Sequence, residues 1–276
     1  MLSRKPLETS PRLRGLVFLL LLSCFPGARA GTAAVAMPDS YSAEVAQDVI
    51  DSGGNAVDAA VAAAFVLAVT YPEAGNIGGG GFMLSYMGGE AAFLDFRERA
   101  PLAATRDMYL DEAGNFIQDK ALTGGLASGV PGSVAGLWEA HKRYGSLPWP
   151  QLTQPAIALA EEGFVVDSAL AEMARGKIAE TAGQTNFAEH FAGLAEHRSF
   201  AQPALARTLR RIAVDPQDFY TGEIARQIVA QMQASGGIIS ARDLAEYRAV
   251  WRTPLQYYWR GYQVLTAPPP LSLIHI

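Results

Sequence analysis

Gly78-Gly79-Gly80-Gly81-Phe82-Met83-Leu84-Ser85-Tyr86-Met87-Gly88-Gly89-Glu90-Ala91-Ala92-Phe93-Leu94-Asp95-Phe96-Arg97 is the stretch on which the fold turns. Its aromatic and aliphatic content predicts a strand over 82–86 and a returning strand over 92–97. Gly88-Gly89 between them predicts a two-residue hairpin, because glycine tolerates the positive φ such turns require. Apolar residues fall on both faces of the pair, the pattern of a sheet covered by helices or by another sheet. The four glycines lead into a strand, not a helix, and no Gly-Lys-Ser/Thr follows. They therefore read as a tight backbone turn and not as a phosphate loop.

Upstream, Val45, Ala46, Val49 and Ile50 recur at helical spacing over 43–51, and Gly53-Gly54 ends that helix. Asn55 then caps a second helix over 56–70, with Asp58 as the acidic partner of a capping box. That helix is apolar nearly all round, which predicts burial on most of its surface, and its alanines let a neighbour approach closely. Downstream, Ser133 is expected to cap a helix over 134–143 that ends at Gly145, and 156–162 a short helix that ends at Gly163. Residues 167–197 are helical in pattern but weakly periodic. Over 223–234, Ile224, Ile228 and Met232 share one stripe that Gly236-Gly237 stops, and Ser240 with Asp243 starts another short helix. Residues 257–265 return to strand character. No repeat, low-complexity tract or linker appears, so the sequence reads as one α/β body.

The chain of 276 residues carries a formal net charge of −5, with half of its residues hydrophobic. Residues 1–30 hold five basic groups and one acidic group; without them 17 basic groups stand against 26 acidic ones, a net of −9. That balance, with no basic cluster, argues against a nucleic-acid or anionic-membrane surface. Arg12 and Arg14 precede the apolar run Leu16-Val17-Phe18-Leu19-Leu20-Leu21-Leu22, and Ala28-Arg29-Ala30 has the small-x-small pattern of a signal-peptide cut before Gly31. The run is shorter than the roughly 20 apolar residues of a membrane span. A competing reading takes Leu21-Leu22-Ser23-Cys24 as a lipoprotein box acylated at Cys24, although Leu22 suits it poorly. Cys24 is the only cysteine, so a chain cut after Ala30 has no disulfide, no thiolate nucleophile and no Cys-based metal site in this segment. Export without disulfides fits a bacterial periplasm.

Gly132-Ser133-Val134-Ala135-Gly136 fails the spacing of a nucleophile elbow, which needs a residue between the first glycine and the serine. The four histidines, His141, His190, His197 and His275, form no His-x-x-x-His pair. His190 and His197, seven apart with Glu189 and Glu196 beside them, read as a solvated helix face, and no metal or cofactor is expected. Asp95-Phe96-Arg97-Glu98 has two readings. The guanidinium of Arg97 forms a structural ion pair with Asp95 or Glu98, or it grips a substrate carboxylate through two parallel hydrogen bonds. The residues alone favour the ion pair, because such pairs are common and contribute little.

Taken together the segments resemble the large-subunit region of the γ-glutamyltransferases, also called glutathione hydrolases. The matching stretches are Gly53-Gly54-Asn55-Ala56-Val57-Asp58-Ala59-Ala60, Asn76-Ile77 with the four glycines and Phe82-Met83, Leu94-Asp95-Phe96-Arg97-Glu98, and Val130-Pro131-Gly132-Ser133-Val134-Ala135-Gly136. Phe219-Tyr220-Thr221-Gly222, Gly236-Gly237-Ile238-Ile239, Arg260-Gly261-Tyr262 and Pro268-Pro269-Pro270 follow in the family's order. The resemblance implies an N-terminal nucleophile hydrolase fold, an αββα sandwich incomplete in this chain, and a precursor that cleaves itself into large and small subunits. The new N-terminal threonine of the small subunit is then the nucleophile, activated by its own α-amine. It takes the γ-glutamyl group of glutathione or a related compound and passes it to water, an amino acid or a peptide. Arg97 matches the family arginine that binds the α-carboxylate, which favours the substrate-binding reading.

After Pro270 the family continues with serines and glycines, whereas this chain reads Leu271-Ser272-Leu273-Ile274-His275-Ile276. The expected organisation is a signal peptide over 1–30, a large-subunit segment over 31–270 and an atypical tail over 271–276, which departs from the family's sequence. On that organisation the nucleophile lies outside the chain, no catalytic residue can be named, and the segment alone is inactive. Two other classes remain: an N-terminal nucleophile amidase of the cephalosporin-acylase kind, and a non-catalytic protein of the same fold. Arg97 favours a substrate with a free α-carboxylate over the first of these.

Overall fold

The computed structural model describes residues 33–269 and Leu271. The expected signal segment over 1–30 with Cys24, and residues 272–276 of the tail, lie outside the described residues. In chain order come α1 (Ser40–Asp51), α2 (Ala56–Thr70), β1 (Phe82–Met87), β2 (Glu90–Asp95), α3 (Gln118–Leu122), α4 (Ser133–Tyr144) and α5 (Trp149–Glu162). There follow β3 (Phe164–Val165), α6 (Ser168–Glu180), α7 (Phe187–Phe191), β4 (Ser199–Phe200), α8 (Pro203–Val214), α9 (Asp218–Thr221), α10 (Glu223–Ala234) and α11 (Ala241–Glu246). The last strands are β5 (Val250–Arg252), β6 (Leu255–Trp259) and β7 (Tyr262–Thr266). All of them belong to one compact unit that begins at Ala36.

The hairpin forms as its sequence predicts. β1 and β2 pair antiparallel with Phe82 opposite Asp95, and Gly88 and Gly89 both take positive φ at the turn. β5 adds to the other side of β2, giving the order β1-β2-β5. One sheet face, carrying Ser85, Ala92 and Leu94, is buried, with Phe96 beyond the strand end packed where α4 places Gly136. The opposite face is only partly covered: Phe93 is buried, but Leu84 is 44% and Tyr86 62% exposed. Two-sided covering therefore holds for β2 and not for β1, because no described element packs over the outer half of that face. The strand character expected over 257–265 takes the form of the hairpin β6–β7, which is exposed along β6 and through Tyr262. Arg260 and Gly261, both at positive φ, turn the chain there.

α2 is the centre of the helical layer, packed on α1, α4 and α5, with α8 packed in turn on α5. Val61, Phe65, Val66 and Val69 are fully buried, and each large apolar side chain so placed contributes about 1.5–3 kcal/mol. Trp149 stands edge-on to Phe65 at 5.4 Å and donates from its indole N–H to the Ile212 carbonyl at 3.0 Å, which joins α5 to α8. α5 begins at Trp149 and not at 156, because Pro150 occupies the first turn, where a missing N–H costs nothing, and Pro155 is accommodated inside. α8 was not anticipated, although Pro203 opens it and Ala206, Leu209, Ile212 and Ala213 form its buried stripe. The region over 167–197 is broken into α6 and α7, and His190 and His197 do not share a helix. His197 lies in a connection at positive φ, 3.5 Å from Glu196.

The capping box that starts α2 also ties distant chain. Asn55 accepts from the N–H groups of Val57 and Asp58, while the Asp58 carboxylate accepts from the Asn55 N–H at 3.0 Å. That carboxylate, fully buried, also takes the Ser146 hydroxyl at 2.5 Å and N–H at 3.0 Å, which fastens the α4–α5 connection to the start of α2. Truncating Asp58→Ala leaves several buried donors without an acceptor, and we expect a loss of about 2–4 kcal/mol. Thermal melting of the complete precursor carrying the substitution checks this; an unchanged midpoint would exclude the tie as a stabilising element.

Candidate functional site

β2 ends at Asp95, but its ladder runs one pair further. The Phe96 N–H donates to the Gly81 carbonyl at 3.0 Å, and the Gly81 N–H returns to the Phe96 carbonyl at 3.2 Å. Arg97 is the next residue. Its N–H donates to Asp95 Oδ1 at 3.1 Å, and its carbonyl accepts from Tyr247 Oη at 2.9 Å. Two residues on, Arg99 and Val130 exchange both backbone bonds, at 3.2 and 2.8 Å. Arg97 thus projects an exposed side chain from backbone that is held before it, at it and after it.

Close approach of main chains makes this possible, and bare glycines permit the approach. A Cβ on Gly80 would lie 2.5 Å from the Phe96 carbonyl and 2.7 Å from the Glu98 nitrogen. One on Gly132 would overlap the Phe96 carbonyl and the Tyr247 hydroxyl, and one on Gly136 would overlap the Phe96 ring. The Gly79 carbonyl accepts from the N–H groups of Gly132 at 2.6 Å and Ser133 at 3.0 Å, so the glycine turn is bonded to the start of α4. This corrects the expectation for Ser133. Gly132 is the N-cap, Ser133 is the first helical residue, and its hydroxyl lies 3.4 Å from Asn76 Oδ1 instead of closing a cap.

Two carboxylates and two phenols tie together the segments that flank Arg97. Asp95 is buried, and its ion pair runs to Arg252 on β5 at 2.8 Å. Tyr247 lies almost parallel to Tyr220 with ring centroids 5.8 Å apart, and the Arg99 guanidinium sits 5.3 Å from the Tyr247 ring centre. Tyr220 Oη accepts from the Ala135 N–H at 3.0 Å and donates to the Pro131 carbonyl at 3.1 Å. Burial pushes both phenols well above the usual tyrosine range, so both stay protonated and both remain donors. Asp243 is also buried. Burial raises its carboxyl, but the Ser240 hydroxyl and the N–H groups of Leu102 and Ser240 outweigh that and hold it below the usual value. Asp243 thereby ties the chain just beyond Arg99 to the start of α11.

An exposed arginine at a strand end has the residue type suited to bidentate recognition of a carboxylate. Among the described residues no three His, Cys, Asp or Glu side chains gather as a metal site, and no helix is long and apolar enough to cross a membrane. Arg97 was the one site residue expected from sequence. Tyr247, which bonds the Arg97 carbonyl, and Arg252, which pairs with Asp95, carry no local signal because their partners lie 150 or more residues away.

The family model described as gamma-glutamyltranspeptidase matches residues 42–275. The glutathione hydrolase proenzyme of Pseudomonas aeruginosa is 52% identical over 240 residues, which are 87% of this chain and 43% of the relative. That of Escherichia coli is 46% identical over 255 residues, or 90% of this chain and 44% of the relative. The solved gamma-glutamyltranspeptidase from Pseudomonas nitroreducens complexed with L-DON superposes with a TM-score of 0.85 at 52% identity, over 87% of this chain and 72% of that one. The chain thus spans less than half the length of the curated relatives it matches. Its fold is that of the N-terminal nucleophile hydrolases, of which these residues make up part.

The Asp243 tie has a pH signature. Its folded pKa is depressed, so the stability it contributes is complete above the unfolded carboxylate range and is lost as pH falls through the folded value. We expect the melting midpoint to fall below about pH 4 and Asp243→Asn to flatten that fall. Parallel acid profiles of the two proteins would remove Asp243 from the account.

Proposed function

The chain belongs to the gamma-glutamyltranspeptidase family, and from that premise we propose that it is the leading segment of an exported precursor. In its complete form the precursor moves the γ-glutamyl group of glutathione or a related compound to water, an amino acid or a peptide. The observation that carries the substrate reading is the placement of Arg97, exposed at the end of β2 on backbone bonded to Asp95 and Tyr247. There Arg97 binds the α-carboxylate of the γ-glutamyl group. The N-terminal threonine of the small subunit, freed by self-cleavage beyond residue 270, attacks the γ-carbonyl while its α-amine takes the hydroxyl proton. The amine of the remaining peptide leaves with that proton. Water or an acceptor amine then attacks the threonine ester and breaks its C–O bond. It carries off the γ-glutamyl group while its own proton returns through the α-amine to the threonine hydroxyl.

The small subunit of the same precursor is the proposed partner. Leu84 and Tyr86 on the open sheet face, and Tyr257, Tyr258, Trp259 and Tyr262 on the β6–β7 hairpin, are the apolar surface it would cover. The free edge of β1 would be covered with it. A signal peptide over 1–30 and a tail over 271–276 flank the segment in this reading, with Cys24 acylation the competing route to the envelope.

Arg97→Ala in the complete precursor is expected to raise KM for a γ-glutamyl substrate, with a binding loss of about 2–5 kcal/mol. An unchanged KM would show that another group holds the carboxylate. Residues 31–276 alone are expected to show no turnover and no sharp melting transition. A cooperative transition in that segment would mean that its exposed sheet face needs no partner.

A further inference from the structure

Beyond substrate contact itself, we infer that Tyr247 is a positioning residue for carboxylate recognition by Arg97, acting through the hydrogen bond from its hydroxyl to the Arg97 carbonyl. The inference rests on the reading of Arg97 given above. A long side chain pivots about its Cα, and that Cα is set by the two peptide groups that flank it. The N–H side is held by Asp95 within the same strand, and the carbonyl side by Tyr247, which arrives from the end of α11. Tyr247 is 4% exposed, and its ring lies against Tyr220 on the one hand and the Arg99 guanidinium on the other. Its hydroxyl therefore has a defined place. Gly132 keeps that place open, since any side chain there would overlap the hydroxyl. Burial pushes the phenol above the usual tyrosine range, so at neutral pH it is protonated and donates to the carbonyl.

A residue that only fills the core would affect all substrates alike. A positioning residue affects those that use the arginine. The discriminating experiment compares two chromogenic γ-anilides on the complete precursor, one with the natural α-carboxylate and one with an α-carboxamide in its place. Tyr247→Phe keeps the ring and its stacking and removes only the donor. We expect KM for the carboxylate substrate to rise about three- to ten-fold with kcat within about two-fold, the scale of one neutral hydrogen bond. The ratio of kcat/KM for carboxylate over carboxamide should fall by the same factor. That ratio is independent of how much of the variant is folded or processed, so reduced stability does not blur the result. Tyr220→Phe, whose hydroxyl bonds Pro131 and Ala135 instead of Arg97, should leave the ratio where it was. An unchanged ratio in Tyr247→Phe, with or without a lower melting midpoint, overturns the inference. Arg97→Ala is the control: a ratio it leaves unchanged refutes the carboxylate seat and this inference with it. A collapse there beside an unaffected Tyr247→Phe refutes the positioning role alone.

Discussion

Contact between main chains around Phe96 is the constraint on which the rest of the site depends. The end of β2, the glycine turn before β1 and the start of α4 meet with no side chain between them. The Gly79 carbonyl accepts from Gly132 and Ser133, and Gly80 lies against the Phe96 and Glu98 backbone. Glycine is costly in regular structure because it loses more conformational freedom on folding than other residues. Its concentration here is offset by backbone hydrogen bonds that a Cβ would break. Gly136, inside α4, illustrates the exchange: it is a weak helix former, and it lets the Phe96 ring lie on the helix backbone.

Buried carboxylates secure the same region over longer spans. Asp58 fastens the α4–α5 connection to α2, Asp95 fastens β5 to β2, and Asp243 fastens Leu102 to α11. Each takes backbone or side-chain donors from a segment remote in sequence. An acceptor-only group that is fully bonded escapes the penalty of burial, whereas losing any one partner exposes that penalty. In a sequence whose only cysteine is Cys24, covalent cross-links within the described residues are not available to do this. The carboxylates supply non-covalent ones.

Legibility in the sequence followed the range of each interaction. The two capping boxes, Asn55 with Asp58 and Ser240 with Asp243, and the Gly88-Gly89 hairpin are set within a few residues, and all three form as read. Pro155 obscures the first turns of α5 because an internal proline normally marks a boundary, whereas the buried stripe of α8 lies at plain helical spacing in its sequence. The turn at Arg260-Gly261 was hidden because a non-glycine residue takes positive φ there. Ser133 was misjudged for a different reason: the Gly79 carbonyl serves the first N–H groups of α4, a partner more than fifty residues distant that no local pattern reveals. Arg97 was legible only through resemblance. Its residue type is common, and what distinguishes it is the backbone support that Tyr247 brings from far along the chain.

That support bears on how the proposed two-subunit enzyme would divide its site. The bonds to the Arg97 peptide come from Asp95 and Tyr247, and those of the flanking backbone from Gly81 and Val130, all within this chain. On the proposed reading, the recognition half of the site is organised by this segment, while the nucleophile belongs to the other. Preorganisation of this kind spares the bound state the cost of ordering a flexible anchor. It also separates two demands that conflict on a single segment. In that reading the nucleophile would arise at a new chain terminus, whereas the carboxylate seat would stay where this segment holds it. Placing Arg97 at the end of a glycine-packed strand, remote from the cleavage point in sequence, allows the one to rearrange without displacing the other.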